Sequence, residues 1–146
     1  MDLKDERIRQ ILSLHGDDTD WQSDLARLER GDTSLTRRSA GEAAIKAVQR
    51  LLIFLGYSTA SSGAFLIDGD FGRGTNRGVA QFQFEHGLNP TLTSRALCYP
   101  CTFQTARQRI TAVPDVKLDL PTLEKMVIET HRAIAANQIP FGRFED

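Results

Sequence analysis

Ser39-Ala40-Gly41-Glu42-Ala43-Ala44-Ile45-Lys46-Ala47-Val48-Gln49-Arg50-Leu51-Leu52-Ile53-Phe54-Leu55-Gly56-Tyr57 is the stretch whose spacing decides the fold class. Ser39 and Glu42 form an S-x-x-E capping box, in which each side chain satisfies a backbone N–H of the first helical turn. Ile45, Val48, Leu52 and Leu55 then repeat along one helical face, widened by Ala44, Leu51 and Phe54. Gly56 stands where a left-handed residue ends a helix, because a residue without Cβ takes positive φ at little cost. The pattern predicts a core helix that needs partners on its apolar side.

Reading outward, the pattern stays helical. A loop of small residues, Ser58 to Gly63, follows Tyr57, and a second helix is expected to start within Gly72 to Thr75. It carries Val79, Phe82 and His86 on one face and stops at Gly87. Gly78 inside it costs about 1 kcal/mol against alanine, which points to another backbone packed close. Asp119 and Pro121 mark a later helix start, with an apolar stripe of Leu120, Leu123, Val127, Thr130 and Ile134. Toward the amino terminus, Ile8, Ile11, Leu12 and His15 predict a short helix stopped by Gly16. Trp21, Leu25 and Leu28 predict another, with Thr19 and Gln22 as its capping box and Gly31 as terminator. Between Gly31 and Gly41 the chain is polar and reads as a linker or exposed loop. The one strand signal is a short extended piece around Ala64 to Ile67. The expected class is all-α with long loops.

Composition narrows the function. The 146 residues are 40% hydrophobic and 25% charged, enough for one buried core. Eighteen Lys and Arg against nineteen Asp and Glu leave a formal charge of −1, so no overall field gathers nucleic acid or an anionic membrane. The longest apolar run, Leu51 to Leu55, falls far short of the roughly 20 residues of a spanning helix. No apolar segment follows the charged start Met1 to Arg7, so no signal peptide is expected in this chain. Synthesis in the cytoplasm, with any action outside it by a signal-independent route, is the corresponding expectation.

Catalytic and cofactor motifs fail on spacing. In Asp68-Gly69-Asp70-Phe71-Gly72-Arg73-Gly74-Thr75-Asn76-Arg77-Gly78, a dinucleotide fingerprint would need glycine at Arg77, and a phosphate loop would need lysine at Thr75. An EF-hand starting at Asp68 would need glycine at Arg73 and glutamate at Val79. Gly56-Tyr57-Ser58-Thr59-Ala60 lacks the last glycine of a nucleophile elbow. Glu85, Asp68, Asp70 and Asp119 could in principle pair as catalytic carboxylates, yet they sit where caps and turns use acids. His15 and His86 each precede a helix-stopping glycine, a structural position. Cys98 and Cys101 form a Cys-Tyr-Pro-Cys run, but no second ligand pair accompanies them for zinc and no βαβ context for thioredoxin chemistry. They read as loop thiols able to close a small disulfide. No metal and no cofactor are expected.

Taken in order, six elements resemble the small three-helix peptidoglycan-binding domain found beside the catalytic domains of cell-wall hydrolases. They are Ala47-Val48-Gln49-Arg50-Leu51-Leu52; Leu52-Ile53-Phe54-Leu55-Gly56-Tyr57; Asp68-Gly69-Asp70-Phe71-Gly72; Thr75; Phe82-Gln83-Phe84-Glu85-His86-Gly87-Leu88; and Asp119-Leu120-Pro121-Thr122-Leu123. The resemblance runs over about residues 41–136, with an insertion of about 89–117 where the family has roughly ten residues. It implies a three-helix core, here with two extra N-terminal helices and a loop-rich insertion. Residues 1–35 would pack on the domain as an extension, anchored by Trp21, and residues 36–146 would form the domain itself. Ala112-Val113-Pro114-Asp115-Val116 is also similar to the propeptide switch of matrix metalloproteases, but Thr111 replaces the required cysteine and the order is wrong.

The motif residues have physical roles of their own. Asp68 and Gly69 suit a tight turn in which the carboxylate accepts backbone N–H groups and glycine takes positive φ. Phe71 is expected to plug the core, Gly72 to let the next helix start close to its neighbour, and Thr75 to cap its first turn. Gln49 and Gln83 are expected to satisfy backbone groups of the intervening loop. Ligand contacts are expected from Tyr57, Asp70, Arg73, Asn76 and Arg77, beside the glycine-rich turn. Tyr57 would stack on a sugar, Arg73 or Arg77 would meet a peptide carboxylate, and Asp70 the amino group of a diamino acid.

The function implied is a non-catalytic module that binds peptidoglycan, through glycan or stem peptide, and targets a cell-wall hydrolase or secreted effector to its substrate. Nucleic acid and membrane are not expected partners. Two other readings stand beside it: a protein-interaction adaptor on the same fold without wall binding, marked by an exposed apolar patch, and a thiol-redox protein built on Cys98 and Cys101.

Overall fold

The computed structural model describes residues 35–37, 42–59, 67–92 and 113–136. These contain three helices, α1 (Glu42–Phe54), α2 (Arg73–Glu85) and α3 (Leu120–Ala135). Among the described residues the only β-pairing is an isolated antiparallel bridge between Leu35 and Leu118, and the class is all-α as expected. The segments expected to form two N-terminal helices, with His15 and Trp21, Ser39 of the first capping box, the piece 64–66, and Cys98 with Cys101 lie outside the described residues. No helix described is long and apolar enough to cross a membrane.

Both predicted glycine stops are realised by the same geometry. At the end of α1, Gly56 has φ 91°, its N–H reaches the Ile53 carbonyl at 2.9 Å, and the Tyr57 N–H reaches the Leu52 carbonyl at 2.9 Å. At the end of α2, Gly87 has φ 66°, its N–H reaches Phe84 at 3.3 Å, and the Leu88 N–H reaches Gln83 at 2.9 Å. Each is a Schellman ending, which needs a left-handed residue one position past the cap. Helix α3 begins as its sequence requires. The Asp119 carboxylate accepts the Thr122 N–H at 3.2 Å and the Thr122 hydroxyl at 2.7 Å, and Pro121 sits in the first turn, where its missing N–H costs nothing.

Ile45, Val48, Leu51 and Leu52 of α1 pack against Val79, Ala80 and Phe82 of α2 and Leu123, Met126 and Val127 of α3, with Tyr57 and Phe71 filling the gap between helix ends. Burying such side chains stabilises by about 1.5–3 kcal/mol each. Helix α2 is buried from Gly74 through Gln83, well beyond the single face that periodicity predicts. The cause is a second layer that the periodicity does not show. The extended segment 113–118 lies along α2 and inserts Val113, Val116 and Leu118 into the core. Leu35, in the stretch read as polar linker or extension, is also buried there. Its N–H donates to the Leu118 carbonyl at 3.0 Å and the Leu118 N–H donates back at 2.8 Å, while Arg37 and Asp115 form an ion pair at 3.0 Å. In α3 the buried face runs through Leu123, Met126, Val127, Thr130 and Ala133, with Leu120 and Ile134 only half buried.

The reason for glycine at position 78 is now concrete. A Cβ there would lie 2.5 Å from the Ser58 carbonyl oxygen, a backbone atom. Gly78→Ala is therefore expected to lower stability by about 2 kcal/mol, since overpacking outweighs the helix propensity gained. Denaturant unfolding checks this; an unchanged or raised midpoint would show that the Ser58 loop yields freely. Close approach is not what Gly72 provides. A Cβ there would meet only the Asp70 carboxylate, at 3.4 Å, an ordinary contact.

Candidate functional site: the turn held by Gln49

Gln49 projects from α1, fully buried, into the turn that leads to α2. Its Oε1 accepts the N–H of Asp68 at 3.1 Å and of Gly69 at 3.0 Å. Its Nε2 faces three oxygens that share its two hydrogens: Asp68 Oδ1 at 2.9 Å, Thr75 Oγ1 at 3.0 Å and the Asp70 carbonyl at 3.1 Å. One amide thus carries both a donor and an acceptor end to the same turn, which no aliphatic or singly functional side chain could do. The turn completes itself through Asp68 Oδ1, which accepts the Asp70 N–H at 3.0 Å, and through Gly69 at φ 74°. Phe71, 1% exposed, pins the next residue into the core.

Thr75 differs from the expectation of a helix cap. Gly72 is the N-cap residue of α2 and no side chain caps it. Thr75 is instead fully buried, with its hydroxyl donating to the Thr59 carbonyl at 3.2 Å while accepting from Gln49, so it joins both sides of the loop to α1. Gln83 also faces elsewhere than expected. Its Nε2 donates to the Lys117 carbonyl at 2.7 Å and the Thr122 hydroxyl at 3.0 Å, and its Oε1 accepts from Asn89 at 3.3 Å, so it holds the entry to α3 rather than the loop between α1 and α2.

The five expected contact residues separate into two groups. Asp70 and Arg73 are exposed on the turn and the first residue of α2. Tyr57, Asn76 and Arg77 are not on the surface, at 1%, 2% and 7% exposure. The Tyr57 ring packs edge-on against Phe82, 5.6 Å between centroids, and its hydroxyl donates to Glu85, so no face of it is open for a sugar to stack on. Asn76 is used at both ends of its amide: Nδ2 donates to the Pro114 carbonyl at 3.0 Å and Oδ1 accepts the Val116 N–H at 2.9 Å. Asn76 and Gln83, two turns apart on one face of α2, are therefore the clips for the extended segment 113–118. Spacing could have paired them, but their partners are backbone groups more than thirty residues away.

A polar group that sequence reading passed over lies at the other end of α2. Gln81 is buried, its Nε2 facing Glu85 Oε2 at 3.4 Å, with Glu85 also accepting from Tyr57. His86 packs against Phe82, 4.3 Å between centroids with the ring planes tilted by 44°. Among the described residues no group of three or more His, Cys, Asp or Glu could hold a metal ion.

What these features define is a small all-α fold, in which two helices are tied through an Asp-Gly turn by a buried glutamine, with Asp70 and Arg73 exposed beside it. Residues 41–91, covering α1, the turn and α2, match the family model of the peptidoglycan binding domain. The match includes Gln49, Asp68, Gly69, Phe71, Gly72, Thr75, Phe82 and Gln83, and it ends before the extended segment and α3. Neither the curated proteins nor the solved structures contain a match to the chain.

Proposed function

We propose that the chain is a non-catalytic peptidoglycan-binding module that holds a cell-wall hydrolase or secreted effector at its polymeric substrate. The observation that carries this reading is the coincidence of the family match with the turn held by Gln49, beside which Asp70 and Arg73 are exposed. A rigid turn presents charged groups without paying to order them at each encounter. Anchoring an attached or associated enzyme to an insoluble polymer raises its effective concentration there without any new catalytic contact. Asp70 and Arg73 are the contact residues in this proposal, while Tyr57 and Asn76 are engaged inside the fold and Arg77 is buried. Among the described residues the one exposed large hydrophobic side chain is Ile128.

Co-sedimentation of the folded protein with insoluble peptidoglycan sacculi tests the reading, with chitin and cellulose as controls. Selective pelleting with peptidoglycan over both controls is expected at physiological ionic strength, and it should weaken as salt rises, because the proposed contacts are exposed charges. A folded protein that stays in the supernatant would defeat the proposal and favour the adaptor.

A further inference from the structure

We infer that Asp70 and Arg73 together recognise a zwitterionic side-chain end in the stem peptide, an ammonium and a carboxylate on one carbon, so that walls built on a diamino diacid are preferred to walls built on lysine. This rests on the peptidoglycan-binding reading and adds the ligand class to it. Opposite charges three or four residues apart ordinarily pair, as Glu129 does in α3 with Lys125 at 3.1 Å and Arg132 at 2.8 Å. Asp70 and Arg73 do not. Within the described residues neither side chain forms an ion pair or hydrogen bond, although both are exposed and only Phe71 and Gly72 separate them.

The backbone explains why they stay apart. Asp70 precedes the helix, its N–H tied to Asp68 Oδ1 and its carbonyl to Gln49, while Phe71 is locked in the core. The Asp70 carboxylate lies over Gly72, 3.4 Å from where a Cβ would be. Arg73 opens α2. One acid and one base, on held backbone positions separated by only two residues, suit a ligand that carries both charges. A lysine side chain presents only an ammonium and would leave the guanidinium without a partner; a neutral sugar would engage neither charge strongly.

Soluble, uncross-linked muropeptides differing only in the diamino residue are the probe, titrated into the full chain at physiological ionic strength. Exposed ion pairs are weak, so the diamino-diacid muropeptide is expected to bind about five-fold more tightly than the lysine one. Arg73→Gln should reduce that preference to near unity and Arg73→Lys should keep part of it, whereas Asp70→Asn should weaken both muropeptides about equally and keep the preference, none of them changing thermal unfolding. Equal affinity for the two muropeptides, with sacculi still pelleting the protein, overturns this inference and leaves peptidoglycan binding standing. A preference that survives Arg73→Gln, or affinities that Asp70→Asn leaves unchanged, overturns the assignment to Asp70 and Arg73. No binding to sacculi of either wall type by the folded chain overturns the inference and the reading beneath it.

Discussion

Gln49→Leu is expected to lower the unfolding free energy by about 3 kcal/mol, a large part of what a domain of this size holds. Leucine fills nearly the same space and suits the apolar face of α1, so helix propensity and packing volume change little. What changes is the turn. The N–H groups of Asp68 and Gly69 lose their acceptor, and Asp68 Oδ1, the Asp70 carbonyl and Thr75 Oγ1 lose a donor. A buried polar group left without a partner costs about 1–3 kcal/mol, and solvent reaching the exposed Asp68 recovers only part of the sum. Gln49→Glu separates the two ends of the amide. It keeps an oxygen for the two N–H groups but points a second one at Asp68 Oδ1 and the Asp70 carbonyl, so it should destabilise at least as much as leucine at neutral pH. Guanidinium unfolding of the three proteins checks both statements. Wild-type midpoints in the variants would mean that the turn holds itself through Asp68 and Gly69 alone.

Ending the chain at Leu92 should be more severe. The family match stops at 91, yet Val113, Val116, Leu118, Leu123, Met126 and Val127 all belong to the core that α1 and α2 share. At about 1.5–3 kcal/mol for each buried side chain, their loss is comparable to the whole net stability of a domain. Cutting there also leaves Asn76 and Gln83 on α2 with amides whose partners are gone, the Pro114 and Lys117 carbonyls and the Val116 N–H. The fragment 1–92 is expected to show no cooperative thermal transition by circular dichroism and poor amide dispersion by NMR, while the full chain shows both. A folded fragment would place the third helix outside the folding unit and confine the domain to the matched segment.

Much of this architecture was legible one element at a time. Ile45, Val48 and Leu52 state the buried face of α1; Gly56 and Gly87 state two helix ends because positive φ is open to glycine and costly to other residues. Asp119 and Pro121 state the start of α3. Gly78 could be read as a close approach, though only the coordinates name the Ser58 carbonyl as the neighbour. The candidate site was less legible. Tyr57 has the composition of a sugar-stacking residue and Asn76 that of a surface amide, and neither identity says which way a side chain faces once α2 is covered on both sides. Leu35 and Val116 carried no periodic signal, since a two-residue bridge and a single extended segment are too short to show one.

The order of the six motif elements, the three helices, their stops and the class of fold follow from local chemistry: which residues cap, which take positive φ, and which repeat at helical spacing. The tertiary structure alone decided that Gln49 serves both edges of the Asp68–Asp70 turn, that Asn76 and Gln83 spend their amides on a segment far along the chain, and that Asp70 and Arg73 are the charges left facing outward. Those outcomes depend on which backbone groups the packed helices bring within hydrogen-bond reach, and such proximity belongs to the assembled core rather than to any stretch of sequence.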